Sequence, residues 1–252
     1  MTKVIVAMVV FNEEEYIERT IDNLIKKIHD IDVIEILDGA WTNGGNSIHS
    51  TDNTKMMVEK LQKKYQSSNT DIVFRESERM FTNESDKRNT QLQTIDENYG
   101  YESYWVFVLD ADELLQFTTG KYDMWLKDSL GDMPFIGCLT AYAHGGDKPM
   151  YGPRLFPGGK GIHYHTNRSM IVHDGDHETE INYNLDNQYS FVNGATSKSF
   201  HLNDFFIINL WPTRKLERMK WKADYCKYQE EIEIVQNKPC EYQKVIKGID
   251  GV

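Results

Sequence analysis

This sequence predicts an α/β protein with a mostly parallel central sheet flanked by helices, then an irregular C-terminal half and a terminal helix. Three observations predict it. Apolar, β-branched runs recur that are too continuous for half-exposed strands. Amphipathic stretches with apolar residues three and four apart separate them. The two kinds alternate strictly over the first half, as in a parallel sheet built from strand–helix–strand units.

"KVIVAMVVF" (3–11) is the first such run and reads as a strand covered on both faces. "EEEYIERTIDNLIKKI" (13–28) carries Ile17, Ile21, Leu24, Ile25 and Ile28 at helical spacing. Asn12 stands where a cap belongs, and the acidic first turn suits the helix dipole. "DVIEILD" (32–38) is a second strand, "KMMVEKLQKKY" (55–65) a second helix and "DIVFRE" (71–76) a third strand. "ESDKRNTQLQTI" (84–95) is a third helix and "YWVFVLD" (104–110) a fourth strand.

Regularity then falls away. "PFIGCLTAY" (134–142) reads as a strand, followed by glycine- and histidine-rich strands and long loops. A long charged helix is expected over 212–235, with Pro212 in its first turn. Its run of Arg214, Lys215, Arg218, Lys220 and Lys222 reads first as a solvated helix face. No repeat or low-complexity linker divides the chain, so its 252 residues are expected to form one domain.

A formal net charge of −11 repels phosphate backbones and anionic lipid. General nucleic-acid binding is therefore not expected, and membrane association at most peripheral. Cys138, Cys226 and Cys240 are an odd, scattered set, which argues against a disulfide framework and for a reducing compartment. No segment reaches membrane-span length, so a cytoplasmic chain is expected.

The chemistry gathers at strand ends. "VFVLDADELL" (106–115) runs apolar residues into Asp110, Asp112 and Glu113. Asn12 to Glu14 follow the first strand, and Asp38 ends the second. Parallel sheets bind ligands outside these carboxyl ends. Two carboxylates spaced D-x-D suit one hard divalent cation and leave positions for phosphate oxygens. Such a cation would let an acidic protein hold a nucleotide. His163, His165, His173 and His177 could alternatively form a transition-metal site, since H-x-H suits zinc or iron, but no H-E-x-x-H spacing or cysteine accompanies them.

The pieces "VFNEEEYIERTIDNL", "EILD", "STDNTKMMVEKL", "KRNTQLQ", "VFVLDADELL", "RLF" and "FHLNDF" followed by "KLERMKWKADY" stand in one order over roughly residues 3 to 225. In this the chain resembles the family 2 glycosyltransferases, which have the GT-A fold. The resemblance implies transfer of a sugar from a nucleotide-diphosphate donor, a UDP-sugar by family frequency, to a glycan or other hydroxyl acceptor. It divides the chain into a nucleotide-binding half (1–115), an acceptor and catalytic half (116–204) and a C-terminal helical segment (205–252).

Carried over residue by residue, the resemblance places Phe11, Asn12 and Glu14 beside the base and ribose, and Asp38 on the base. Lys87 and Arg88 stand where the family often holds the nucleotide. Asp110 would lie near the ribose and a Mn or Mg ion, Asp112 would ligate that ion, and His201 would complete the metal or phosphate site. The family generally inverts, which needs a carboxylate to take the acceptor proton. His173-Asp174 and His177-Glu178 compete for that role: spacing from "RLF" favours Asp174, residue identity Glu178. One departure is "GAWTNGGNSIH", inserted between Asp38 and "STDNT". Two other classes stay open, a nucleotidyltransferase and a non-catalytic sugar- or nucleotide-binding protein. The first usually has a glycine-rich basic loop where this chain has "FNEEE".

Overall fold

The computed structural model describes residues 2–42, 47–117, 123–130, 136–143, 149–159, 161–166, 169–174, 177–182, 199–201 and 205–210. The first half alternates as expected: β1 (Lys3–Val10), α1 (Ile17–Lys27), β2 (Val33–Asp38), α2 (Thr54–Tyr65), β3 (Asp71–Glu76), α3 (Glu84–Tyr99) and β4 (Tyr104–Val108). Then come β5 (Glu113–Phe117), α4 (Leu126–Leu130), β6 (Ile136–Ala143), β7 (Pro149–Pro157), β8 (His163–Thr166), β9 (Ser169–Asp174), β10 (His177–Asn182), β11 (Ser199–His201) and β12 (Phe205–Asn209).

Among the described residues one nine-stranded sheet runs β3-β2-β1-β4-β7-β6-β12-β5, with β11 on β6. The β1–β4 strands pair in parallel, while β7 is antiparallel to both β4 and β6. A separate three-stranded sheet is ordered β10-β9-β8. The fold is thus α/β, with a mostly parallel half. Strand order reverses at β1, between β2 and β4, and a crevice forms outside the strand ends at such a point.

Alternation along β1 sorts the core into two layers. Val4, Val6, Met8 and Val10 pack with Ile17, Ile21 and Leu24 of α1 and with Val58 and Leu61 of α2. Ile5 and Ala7 face the other side, with Leu92 and Ile95 of α3, Val106 and Val108. Period two in the strand and period near four in the helices dictate that division. Burying one such side chain contributes about 1.5–3 kcal/mol, so the β1 runs anchor the sheet.

The α3 face also carries a polar seam. The Gln91 amide donates to Met8 O and Glu35 O, and the Lys87 ammonium, one turn earlier, donates to Val10 O and Gly39 O. Four helical residues advance about 6 Å and two strand residues about 6.6 Å, so the α3 side chains stay in step with Met8 and Val10 of β1.

The structure corrects several expectations. α1 begins at Ile17, with Tyr16 at the cap and no side-chain cap bond. Asn12 does not cap it, because its carbonyl is taken by the 51–52 amides. β4 ends at Val108; Asp110 to Asp112 form a turn closed by Glu113 N–H to Asp110 O, and "ELLQF" is a strand of its own. The strand expected over 134–142 spans Ile136–Ala143. The second half is richer in paired strands than its glycine- and histidine-broken pattern showed, because those strands lack a clean two-residue alternation. The helix expected over 212–235 lies outside the described residues. No helix of the described residues is long and apolar enough to cross a membrane.

Candidate functional site

Two loops meet at the end of β1. Asn12 has φ 56, the left-handed region that Asn tolerates better than most residues. This turns its side-chain carbonyl onto Thr51 N–H at 2.7 Å and Asp52 N–H at 3.4 Å. Glu14 accepts from Asn53 N–H and Nδ2 at 2.9 and 2.8 Å. In return, Glu14 N–H donates to Asp52, Glu13 N–H to Thr54 Oγ1 and Asn12 N–H to Ser50 Oγ. "FNEE" and "STDNT" therefore fold as one reciprocal unit.

Asp38 closes this unit from below. It is buried, and its carboxylate accepts from Ser50 N–H at 2.9 Å and Ser50 Oγ at 2.6 Å. Burial raises its pKa, while the Ser50 bonds and the nearby Lys87 charge pull it back. The insertion after Asp38 folds inward at its start. Trp41 bridges to Phe81, and Ala40 and Thr42 exchange backbone bonds with Phe81. The Trp41 ring stands edge-on to Phe11, with centroids 6.3 Å apart.

Lys87 lies beneath these rings at 0% exposure. Its Nζ reaches Val10 O and Gly39 O, both at 2.6 Å, and sits 4.9 Å from the Trp41 ring centroid and 5.8 Å from that of Phe81. Burial pushes its pKa down to about 7, against the pull of Asp38 and Glu13.

The next residue, Arg88, serves the other side of the crevice. Nη2 donates to Asp110 Oδ1 at 2.6 Å and to Glu84 Oε1 at 2.7 Å, and Nε also donates to Glu84. Its side chain is 8% exposed. Nη1 is buried and has no hydrogen-bond partner among the described residues. Burial opposes the charge, yet Asp110 and Glu84 hold the guanidinium well above its ordinary range. The guanidinium also stacks over Tyr164, 5.5 Å from the ring centroid. Asn89 locks that strand to α3: its Nδ2 donates to Tyr164 O and its Oδ1 accepts from Tyr164 N–H.

Behind the turn, Glu113 is fully buried. It accepts from Arg154 Nη2 at 2.8 Å and from Asp110 N–H at 2.9 Å. Burial pushes it up to about 7; Arg154 opposes that, and the Asp110 and Asp112 carboxylates add to it. Arg154 also stands 3.9 Å from Asp110.

Of the residues singled out from sequence, Phe11, Asn12, Glu14, Asp38 and Lys87 come together around the β1 and β2 ends, and Arg88, Asp110 and Asp112 around the β4 end. Asp112 is 4% exposed, and its backbone O accepts from Leu210 N–H. Asp174 and Glu178 lie in the β9–β10 hairpin, paired with His177 and His173. Neighbouring register positions alternate between faces, so the two candidates occupy opposite faces of that ribbon. His201 ends β11, in register with Cys138 of β6. The side chains of these three lie outside the described residues.

Sequence reasoning did not single out Ser50, Asn89 or Arg154 as site residues, and it offered Tyr164 only as one of several aromatics that could stack on a sugar acceptor. "RLF" and "RN" were visible as motifs, but which carboxylate or carbonyl each side chain meets depends on the fold.

The donor chemistry at the turn fits a hard divalent cation. Asp110 and Asp112 offer only carboxylate oxygen, the ligand type that Mg and Mn prefer. No cluster of three or more His, Cys, Asp or Glu side chains arranged for a metal occurs among the described residues. Two carboxylates alone leave most of a six-fold shell to phosphate and water.

The solved structures this chain resembles include a mannosyltransferase. It is PcManGT from Pyrobaculum calidifontis, in complex with GDP-Man and Mn2+: 18% identity, 56% of this chain, 35% of that one, TM-score 0.38. Residues 1–349 of S. aureus TarS match at 21% identity over 57% of this chain and 37% of that one, with TM-score 0.39. The TarS complex with UDP-GlcNAc gives 21%, 56%, 35% and 0.38. The chain thus spans little more than a third of the length of these structures. No protein-family profile matches the sequence, and no curated protein does.

Proposed function

We propose that this protein is a nucleotide-sugar glycosyltransferase, using a UDP-sugar and Mn or Mg and inverting at the anomeric carbon. The observation that carries the reading is Arg88. A guanidinium more than nine-tenths buried, bound to Asp110 and with Nη1 unbonded among the described residues, stands at the strand ends where parallel sheets take ligands. A buried donor without a partner is costly, and an anion such as a diphosphate oxygen would satisfy it. The ordered family motifs support the same reading.

The unit formed by Phe11, Asn12, Glu14 and Asp38 would hold base and ribose. Arg88 would bind and orient the diphosphate, with Lys87 behind it. When bound, Mn or Mg would set positive charge against the leaving diphosphate, with Asp112 as ligand and Asp110 and His201 beside it. The acceptor oxygen attacks the anomeric carbon as the bond from that carbon to the phosphate oxygen breaks. Asp174 or Glu178 takes the hydroxyl proton. Being on opposite ribbon faces, only one of them can serve.

Calorimetric titration with UDP, UDP-sugars and GDP-sugars in Mn tests this. Arg88→Met should weaken binding about ten- to a hundredfold, the scale of a lost charged hydrogen bond. No binding of any nucleotide sugar by the wild type, with Mn or Mg, would overturn the reading. Binding without turnover would leave only a binding protein.

A further inference from the structure

We propose that Lys87 is a positioning residue that organises the nucleotide crevice: its buried ammonium ties the β1 and β2 ends together beneath Phe11 and Trp41. The ligand named here rests on the function proposed above; the positioning rests on the geometry alone.

Parallel strands separate once their ladder ends. Here the ladder stops at Val10 and Asp38, and the chain turns immediately, to Asn12 on one side and Trp41 on the other. Gly39 N–H still reaches Val10 O at 3.2 Å. Beyond it, Lys87 Nζ joins the two ends from the α3 side, with Val10 O and Gly39 O each 2.6 Å away, while the Ser50 hydroxyl links Asp38 to Asn12 N–H from the other loop. A fully buried side chain with such contacts has few alternative positions. Through Val10 it fixes the residue two places before the left-handed turn at Asn12. Through the ring faces it fixes Trp41, whose edge meets Phe11.

Gln91 does the same bridging one turn along with a neutral amide. The seam as such therefore needs no charge, yet a charge-bearing group stands at its open end. Among the described residues Lys87 makes no ion pair. The charged groups around it are Asp38 from β2, Glu13 from the turn before α1, and Glu84 and Arg88 from α3. A cation buried without a direct carboxylate keeps its field for whatever enters the crevice.

The test uses the full chain with Lys87→Met and Lys87→Gln, plus Trp41→Phe as a spectroscopic reference. In Mn, both Lys87 variants should bind UDP about tenfold or more weakly, the scale of one charged hydrogen bond. The wild-type Trp41 emission, taken as the difference from Trp41→Phe, should titrate around pH 7, the value to which burial brings Lys87. That titration should vanish in the Lys87 variants. Wild-type affinity for UDP in a folded Lys87→Met overturns the proposal. So does wild-type affinity for UDP in Trp41→Ala, which tests the ring side of the crevice even if the Lys87 variants do not fold. If the wild type binds no nucleotide but Trp41 still titrates, the glycosyltransferase reading falls and Lys87 stands as organiser of the crevice.

Discussion

Replacing Asn12 separates two contributions that meet at one residue: the left-handed backbone and the side-chain carbonyl that holds the 51–52 amides. Glycine keeps the backbone and loses the carbonyl. Alanine loses both. Aspartate keeps both, since its carboxylate accepts the same amides and tolerates φ 56. The carbonyl makes one short bond, to Thr51 N–H at 2.7 Å, and longer ones at 3.4 Å. Thr51 is exposed, so water replaces part of what is lost and the bond contributes about 1 kcal/mol. Forcing alanine into a positive φ costs about another 1 kcal/mol relative to glycine.

The expected order of stability is Asn12→Asp near wild type, Asn12→Gly about 1 kcal/mol below it and Asn12→Ala about 2 kcal/mol below. For a chain of this size each kcal/mol moves Tm by about 2–4 °C. Urea midpoints at constant m-value, with thermal scans beside them, read the order directly. If Asn12→Ala is no less stable than Asn12→Gly, the backbone argument is wrong. If all three match wild type, the reciprocal loop unit contributes nothing to stability.

Gly39→Ala puts a Cβ 2.5 Å from Phe81 Cε2 and 3.0 Å from Ser77 Cβ. With Phe81 fully buried, the ring must shift, at a cost of about 1–3 kcal/mol in a denaturant midpoint; shortening the ring in Gly39→Ala/Phe81→Leu should recover part of it. Arg79 holds Asp86 down to about 2, helped by Thr82 N–H. Because the folded pKa lies below the unfolded one, this stability is fully present above about pH 4 and lost as pH falls through about 2. Arg79→Gln should therefore differ from wild type at about pH 5 and converge with it near pH 2 in an acid-unfolding series. At a hundred times its Kd, Mn with UDP should raise Tm by roughly 5–10 °C. Asp112→Ala should abolish the Mn-dependent part of that shift; an undiminished shift would remove Asp112 from the metal site.

The first half was legible because its strands are buried on both faces. β1 is a continuous apolar run after Lys3, β2 is apolar but for Glu35 and its terminal Asp38, and α1 repeats Ile17, Ile21 and Leu24 at helical spacing, so composition and period agree there. β5 was not legible: "ELLQF" is short, and the turn before it is made by Asp110 to Glu113, which carry no glycine or proline to mark it. The terminal carboxylates were visible as residue types, but their partners were not. Arg88 meets Asp110 across 22 positions, and Arg154 meets Glu113 across 41. Lys87 shows the limit most plainly. Beside Arg88 in "KRN" it reads as a second cation for the nucleotide, and only the α3 seam turns it inward, in step with Gln91.

That inward turn also bears on how an acidic chain could hold an anion. With 39 acidic against 28 basic residues, a cation on its surface would be outnumbered and screened. Burial removes the screening but demands compensation. Arg88 and Arg154 meet the demand with carboxylates, Asp110 and Glu113, so much of their charge is already spoken for. Lys87 meets it only in part, with two carbonyl dipoles and two ring faces that carry no full negative charge, and burial still brings its pKa down to about 7. Replacing Trp41 would therefore alter the field in the crevice even though that residue carries no charge. That coupling distinguishes a cation held by dipoles from one held by an ion pair, and it predicts non-additive losses of UDP affinity in a Trp41–Lys87 double-mutant cycle.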